Sequence, residues 1–352
     1  MNTLYRLAWL ALCGLAPASA QDFFSELFNP LASFPPTASA RQETRPQNGP
    51  WNNDMILYRV RADGGSEKLA SFERAGVPTL ARMPDGRLIA AHQHFPENDP
   101  ASFDKVAIHF SSDEGKTWTP AVVMKLNGLP TGMRFPFDPT LVALPDGRVR
   151  MYFTSLQGRR FDEDLPRIHS AISKDGLEYE FEPGMRFSIE GRSVIDCAVV
   201  LHQGVFHLFS PDNGAQPTTS QGPEMTPTDG VGYHATSTDG LNFTRAADVK
   251  VEGSRRWPGN AQSDGKVITF FGTGQGVFTA TSADGKDWQL STHFPIMGAD
   301  PGAVAGKDGG WIIAVTGPPR NQQQSFAQQG QHWLGEWDGE LVLFERLRNF
   351  DK

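Results

Sequence analysis

The stretch Ser111-Ser112-Asp113-Glu114-Gly115-Lys116-Thr117-Trp118 decides the fold of this chain. An Asp close to a Gly, followed by an aromatic residue, is typical of a tight turn, because the Asp side chain accepts backbone hydrogen bonds and Gly adopts positive φ. The pattern recurs at Ser173-Lys174-Asp175-Gly176, Ser237-Thr238-Asp239-Gly240 and Ser282-Ala283-Asp284-Gly285, each after a run of β-forming residues. A hairpin that recurs along a chain predicts a β-propeller.

Five repeats of four strands can be traced outward from these turns. Their first strands open, in order, at Val77, Asp138, Asp196, Trp257 and Asp300. We therefore predict an all-β fold, a five-bladed propeller with four-stranded antiparallel blades, that occupies residues 55–352 as a single domain. The outer hairpin of the last blade is expected at Trp333–Phe344. A surplus strand pair at Met55–Phe72 either closes the ring against that blade or marks a sixth, incomplete blade, so a six-bladed ring is the alternative.

The N-terminal end predicts export. Arg6 precedes an apolar run, and Ala18-Ser19-Ala20 has the form of a signal-peptidase site, so residues 1–20 are expected to be a signal peptide. The mature protein would then be periplasmic or secreted, and residues 21–54 would form an extended arm. No later stretch has the ~20 apolar residues of a membrane span. A net charge of −8 without any Lys/Arg run gives no footprint for nucleic acid.

The four turns resemble the Asp-boxes, or bacterial neuraminidase repeats, of the sialidase-like superfamily, and Val77-Pro78-Thr79-Leu80-Ala81 is similar to the opening blade of sialidases. The resemblance implies a propeller, with the boxes in the turns between third and fourth strands, away from the active face. It would also imply an arginine triad, a Tyr nucleophile backed by Glu, and an acidic Asp. The chain has Ala75-Gly76 where the first of those arginines is expected, and no Tyr/Glu pair can be assigned.

The strand openings carry the chemistry that we expect. In a propeller the first residues of the innermost strands surround the central channel, so Asp138, Asp196 and Asp300 should converge there as the catalytic residues. Carboxyl groups held at different pKa values are what glycoside hydrolysis needs, one as the proton donor and another to activate water or attack carbon. Two other interpretations are that each Asp caps the start of its strand, and that the three bind a metal or another ligand.

Asp138-Pro139 and Ile195-Asp196 also resemble the first two acidic motifs of five-bladed arabinanase- and xylosidase-type glycosidases. By that resemblance Asp138 would be the general base, and Asp196 would tune its pKa and orientation. A Glu general acid should follow on the next blade, but that blade opens with Arg255-Arg256-Trp257, and Glu252 is out of register. Asp300, Glu252 or a loop carboxyl could supply the acid.

Long loops between second and third strands would rim the same face, at residues 95–105, 156–166, 210–231 and 318–330. Binding residues are expected in these loops, at the neighbouring strand ends and just before the strand openings, and they are Arg134, Arg192, Arg256, Trp257, His92, His94, Arg159 and Asp212. His92 and His94 alternate along a strand and so share one side, but no third metal ligand is evident. We predict no cofactor and no metal ligands, although a structural or axial divalent cation stays open.

The sequence therefore predicts an exported, glycan-active propeller that uses axial carboxylates as a glycoside hydrolase. Its partner would be a glycan or another small molecule in the axial pocket. The alternatives are a non-catalytic carbohydrate- or protein-binding scaffold, with a protein partner on the loop face, and a sialidase-like exo-glycosidase. A third carboxyl near the axial pair would favour the enzyme, whereas axial Asp–Arg pairs that fill the channel would favour the scaffold.

Overall fold

The computed structural model describes residues 50–158, 163–212, 231–250, 259–274 and 276–320. Five small, mainly antiparallel sheets form a ring in which the innermost strands of successive blades contact one another, and the last contacts the first. The predicted five-bladed β-propeller is confirmed, and the six-bladed alternative is wrong. Within the described ranges no helix has the length and apolarity needed to cross a membrane. The predicted signal peptide and nearly all of the predicted arm lie outside these ranges.

The strands run from the inside of each blade to its outside. A 3-10 helix (Pro50–Asn52) precedes β1 (Asn53–Val60) and β2 (Ser66–Phe72). Blade 1 consists of β3 (Ala75–Arg82), β4 (Leu88–His94), β5 (Lys105–Ser111) and β6 (Val122–Val123). A short β7 (Lys125–Asn127) lies parallel to the outer strand of blade 2, which consists of β8 (Phe137–Ala143), β9 (Val149–Ser155), β10 (Arg167–Ser173) and β11 (Glu178–Phe187).

The other blades follow the same order. Blade 3 consists of β12 (Ala198–His202), β13 (Val205–Pro211) and β14 (Val231–Ser237), with β15 (Thr244–Arg245) and β16 (Val249–Lys250) both paired to β14. Blade 4 consists of β17 (Gly259–Ser263), β18 (Ile268–Gly274), β19 (Gly276–Ser282) and β20 (Gln289–Phe294). Blade 5 consists of β21 (Ala299–Ala305), β22 (Trp311–Pro319) and then β1 and β2.

The two ends of the described chain meet in blade 5. Antiparallel β1 pairs with β22, with Leu57 opposite Ala314, so the strand pair from the N-terminal side supplies the outer half of this blade. The prediction that Trp333–Phe344 forms that half was therefore wrong, and residues 333–344 themselves lie outside the described ranges. The other prediction for the Met55–Phe72 pair, that it closes the ring, is confirmed.

The core lies between blades, because each sheet is covered on both faces by its neighbours. The seven residues of β9 are all buried, although the strand reads Val-Arg-Met-Tyr-Phe-Thr-Ser. One cluster joins Ile89 and Phe110 of blade 1 to Met151 and Phe153 of blade 2. Full burial of such a side chain contributes about 1.5–3 kcal/mol, so the stacked blades hold each other in the ring.

The four Asp-Gly turns connect third and fourth strands and also pack between blades. In the first, Gly115 N–H donates to Ser111 Oγ at 2.9 Å, and Trp118 Nε1–H donates to the Gly115 carbonyl at 2.9 Å. Hydrogen bonds from the Thr117 hydroxyl and backbone lower the pKa of Asp113 to about 2. The turn glycines face the preceding blade: a Cβ on Gly176 would lie 2.7 Å from Ile89 Cδ1.

Candidate functional site

Four strand openings share one backbone conformation. Val77, Asp138, Asp196 and Asp300 have φ values of 49°, 49°, 65° and 50°, the left-handed region. A non-glycine residue there costs roughly 1–2 kcal/mol, so the conformation persists only where its surroundings impose it. The fifth predicted opening, Trp257, lies outside the described residues. The alignment of the repeats therefore identified residues that are structurally equivalent. Nothing in the sequence indicated their unusual φ.

A β-bulge produces this conformation in three blades. The pairing between first and second strands shifts between Gly76 and Thr79, between Phe137 and Thr140, and between Ala299 and Gly302. Each shift brackets the left-handed residue and the Pro that follows it. A bulge of this kind redirects a side chain from the sheet face.

The three predicted catalytic carboxyls are buried and interact electrostatically. Asp138, Asp196 and Asp300 are 6%, 7% and 3% exposed. Burial raises the pKa of Asp138 well above its ordinary value of 3.8, and repulsion from Asp196 raises it further, while the Arg134 guanidinium opposes both. Burial also raises the pKa of Asp196, and repulsion from Asp300 adds to the effect. Asp196 therefore hinders the ionisation of Asp138, and Asp300 hinders that of Asp196.

Threonine hydroxyls link three of the four described openings to the preceding blade, a feature that the sequence analysis missed. The backbone N–H groups of Val77, Asp196 and Asp300 donate to the Oγ1 atoms of Thr316, Thr154 and Thr273 at 2.7, 3.1 and 2.9 Å. The three threonines occupy the sixth position of β22, β9 and β18. A recurrent hydroxyl at that position was the available signal, because β13 has Ser210 there as well.

Arg134 lies beside the axial carboxyls, as predicted, with its main contacts on blades 1 and 2. Its guanidinium pairs with Asp104 at 2.7 Å and lies 4.5 Å from the centroid of the Phe137 ring. Gln93 Nε2–H donates to the other Asp104 oxygen at 3.0 Å. Burial raises the pKa of Asp104, and the adjacent Arg134 opposes that rise. Asp104 is thus a fourth carboxyl close to Asp138, with a side chain that is 9% exposed, and it was not predicted.

The predicted binding residues Arg192 and Asp212 are in contact. Arg192 Nη1 lies 2.8 Å from Asp212 Oδ1, and the Tyr233 hydroxyl donates to the same oxygen at 2.8 Å. The Arg192 side chain is 38% exposed, which leaves part of it accessible to a ligand. Arg320, a loop arginine, lies near Glu73 and Asp54, at 3.1 and 3.4 Å.

His92 and His94 lie on one side of β4, as predicted, and their ring centroids are 5.7 Å apart. His92 is 1% exposed, because its ring stacks on His109 and packs against Phe72 of β2. Its Nδ1 and Nε2 lie 2.8 Å from the Gln93 carbonyl and 3.0 Å from His109 Nε2. Burial lowers the pKa of His92 to about 3. His92 therefore belongs to the packing of blades 1 and 5, whereas His94 is partly exposed.

Polar side chains also connect the inner strands of different blades. Thr79 Oγ1 accepts from the Leu141 backbone at 3.0 Å and from Asn260 Nδ2 at 3.4 Å, a contact that reaches from blade 4 to blade 1. A Cβ on Gly302 would lie 2.6 Å from the Pro78 carbonyl, so blade 5 can approach blade 1 only with glycine at that position. The inner strands of blades 1, 4 and 5 are therefore in close contact.

The other predicted residues, Arg159, Arg256 and Trp257, and the acid candidate Glu252 lie outside the described residues. Within the described ranges, no group of three or more His, Cys, Asp or Glu is arranged to hold a metal ion. Cys197 is buried and has a free thiol.

The chain matches no protein-family profile and, at a significant level, no curated protein. Among solved structures it is similar to a family 117 glycoside hydrolase of the marine bacterium Zobellia galactanivorans (TM-score 0.48, 11% identity, 72% of this chain and 92% of that chain). It is also similar to an α-L-arabinanase of Penicillium chrysogenum (TM-score 0.44, 17% identity, 69% of this chain and 75% of that chain). A third similar structure is a Hadza microbial sialidase (TM-score 0.43, 16% identity, 69% of this chain and 52% of that chain). Similarities of this size carry no weight in assigning the chemistry of this chain.

Proposed function

We propose that this protein is an exported propeller glycoside hydrolase whose axial carboxyls cleave a glycosidic bond. The observation that supports it is the group of three buried, mutually repelling Asp side chains at strained strand openings. Strained backbone and unlike ionisation states among neighbouring carboxyls are concentrated at functional sites.

In this proposal Asp138 is the general base. Arg134 and the hydrogen bond from Thr154 favour its ionised form, although burial and Asp196 oppose it. Burial and the neighbouring Asp300 both raise the pKa of Asp196, so this carboxyl can hold a proton. It would donate that proton to the glycosidic oxygen while Asp138 takes one from the attacking water.

The test is hydrolysis of natural polysaccharides and of aryl glycosides with good and poor leaving groups. Asp138→Asn should lose activity on every substrate, by at least about 100-fold. Asp196→Asn should lose most on poor leaving groups, since a good leaving group departs without a proton. Asp146→Asn, in an exposed turn of blade 2, is the matched control and should retain activity. Equal activity of wild type and both axial variants on a cleaved substrate would reject the proposal.

The alternative is a propeller that binds glycan or protein without cleaving it. The partly exposed Arg192, held by Asp212 and Tyr233 at the rim, favours this candidate, because an oriented guanidinium can bind a ligand carboxylate or hydroxyl. Glycan-array binding that Arg192→Ala abolishes, together with no hydrolysis of the bound glycans, would support binding alone.

A further inference from the structure

The hydroxyl groups at the sixth position of the second strands contact the axial residues in two different ways. Thr154 Oγ1 accepts the Asp196 N–H at 3.1 Å, and Thr154 lies opposite Phe137, beside the Asp138 side chain, whose pKa its hydroxyl lowers. Thr316 repeats the arrangement: its Oγ1 accepts the Val77 N–H at 2.7 Å and donates to Asp300 Oδ2 at 3.4 Å. Each threonine thus touches the carboxyl of its own blade and the backbone of the next.

The strand register explains why this contact recurs. Thr154 pairs with Phe137 and Thr316 with Ala299, in each case the residue before the left-handed Asp. The bulge then begins, so the Asp stands beside the hydroxyl of its paired strand.

The direction of the hydrogen bond follows from valence. A threonine hydroxyl has one hydrogen, and a backbone N–H can only donate. Since the Asp196 N–H is directed at Thr154 Oγ1, the oxygen acts as acceptor there, and the hydroxyl hydrogen is available for Asp138. A donor aimed at a carboxyl favours the ionised form.

Ser210, at the same position of β13, directs its hydrogen elsewhere. Its hydroxyl donates to the Asp196 backbone carbonyl at 2.7 Å, so its single hydrogen is not available to the Asp196 carboxyl. Hydroxyls at equivalent positions therefore differ: that of Thr154 can donate to the Asp138 carboxyl, whereas that of Ser210 does not donate to the Asp196 carboxyl. The charged or titratable groups that face Asp138 are Asp196, Arg134, Asp104 and the Cys197 thiol. Asp300 and Cys197 face Asp196.

We propose that Thr154 is a positioning residue that directs its hydroxyl hydrogen to Asp138 and so ties the orientation of that carboxyl to the opening of blade 3. The division of roles between base and acid would then be set by which acceptor the hydroxyl of each second strand uses. This inference rests on the proposed function for its catalytic meaning, but the order of ionisation can be measured without any activity.

The experiment is a carboxyl ¹³C NMR titration of the full mature chain, with the Asp138 and Asp196 signals assigned from Asp138→Asn and Asp196→Asn. In wild type, Asp138 should ionise at lower pH than Asp196. Thr154→Val should raise the midpoint of Asp138 by about one pH unit, and Thr154→Ser, which keeps the hydroxyl, should restore it. Where hydrolysis is observed, the acidic limb of its pH profile should move with the same midpoint.

Thr279→Val is the matched control. Thr279 is 3% exposed, its hydroxyl donates to the Thr292 carbonyl at 3.2 Å, and its Oγ1 accepts the Thr292 N–H at 3.0 Å. It therefore loses the same two kinds of hydrogen bond without touching a carboxyl, and the Asp138 midpoint should stay unchanged.

Ionisation of Asp196 before Asp138 in wild type would overturn the inference. This measurement does not depend on whether Thr154→Val folds, because it uses only wild type and the two variants that assign the signals. An unmoved Asp138 midpoint in folded Thr154→Val would overturn it as well. The expected titration in a protein that hydrolyses no glycan would reject the proposed function and leave the role of Thr154 standing.

Discussion

At the scale of single residues, the strand openings combine strain with chemistry. Asp tolerates positive φ better than most residues, because its short side chain can hydrogen-bond locally. Val77 has the same φ as Asp138, and for a β-branched residue that conformation is a clear outlier. Its N–H bond to Thr316 and the following Pro hold it there. The ring therefore imposes the positive φ at position 77, and the valine side chain does nothing to favour that conformation.

Val77→Asn should accordingly stabilise the protein by roughly 1 kcal/mol, because Asn populates the left-handed region more readily. Val77 is partly exposed, so little apolar burial is lost. Urea unfolding monitored by tryptophan fluorescence measures the effect. Val122→Asn, an exposed valine of β6 that is not at positive φ, is the control and should show no gain. A lower free energy of unfolding for Val77→Asn would show that its side chain contributes more than the strain removes.

The axial carboxyls also predict how stability depends on pH. The pKa values of Asp138 and Asp196 are raised in the folded protein, so above pH 3.8 the unfolded chain releases protons that the folded chain retains. The stability associated with these groups is complete below their unfolded pKa and is lost as the pH rises toward the folded pKa.

Asp196→Asn should therefore reduce the loss of stability between about pH 4 and pH 8, since the amide does not ionise. Thermal unfolding across this range gives the comparison. Asp146→Asn should leave the slope from about pH 5 to pH 8 as in wild type, because hydrogen bonds from Arg148 lower the pKa of Asp146 and it is ionised in both states there. Equal slopes in wild type and Asp196→Asn would contradict a raised Asp196 pKa.

At the scale of elements, the Asp-Gly turns connect neighbouring blades as well as consecutive strands. Tyr152 Oη–H of blade 2 donates to the Gly240 carbonyl in the turn of blade 3 at 2.8 Å, and Arg59 Nη2–H of blade 5 donates to the Glu114 carbonyl in that of blade 1 at 2.9 Å. Each of these two turns thus receives a donor from the blade before it. Gly240 has a φ of 71°, and a Cβ on it would lie 2.7 Å from Tyr152 Oη, so this turn needs both positive φ and the absence of a side chain.

Two glycine substitutions separate these requirements. Gly176 (φ 81°) faces Ile89 and Phe110, whereas Gly86 (φ 89°), in the turn between β3 and β4, has no atom within 4 Å of the position that an alanine Cβ would occupy. Gly86→Ala should cost about 1 kcal/mol from backbone strain alone, and Gly176→Ala about 1–3 kcal/mol more from overpacking. Chemical denaturation of both variants measures the difference. Equal losses would mean that blade 1 moves aside without cost.

At the scale of the whole molecule, the ring is closed by strands from opposite ends of the described chain. Met55 and Leu57 of β1 are fully buried and belong to a cluster with Leu80 of blade 1 and Ile312 of blade 5. A Cβ on Gly310 would lie 2.1 Å from the Val60 carbonyl, so the β1–β22 junction is tight. Without β1 and β2, blade 5 would keep only β21 and β22, and an isolated hairpin is marginally stable.

A chain that begins at Glu73 should therefore lose cooperative unfolding and associate through the exposed edge of β22. A chain that begins at Pro50 keeps β1 and β2 and is the control, and it should unfold as the full chain does. Gel filtration and urea unfolding distinguish the two. A monomeric Glu73 chain with an unchanged unfolding midpoint would show that the other four blades hold the ring without closure.

Much of the fold could be predicted because it depends on local patterns. Turns such as Ser237-Thr238-Asp239-Gly240 fix where a hairpin reverses, and alternating β-forming runs mark the strands beside it. The last blade was predicted incorrectly for the same reason. A pairing of β1 with β22 joins residues that are more than 250 positions apart, as Leu57 and Ala314 are, and no local pattern encodes their proximity.

The sequence by itself determined the propeller, its five repeats and the three aspartates at equivalent openings, because these depend on turn chemistry and on spacing along one chain. Only the tertiary structure decided what surrounds those aspartates: the shared left-handed backbone, the Arg134–Asp104 pair and the different acceptors of Thr154 and Ser210. A carboxyl acquires its pKa from burial and from charges brought to it by other blades. Those distances exist only once the ring has closed.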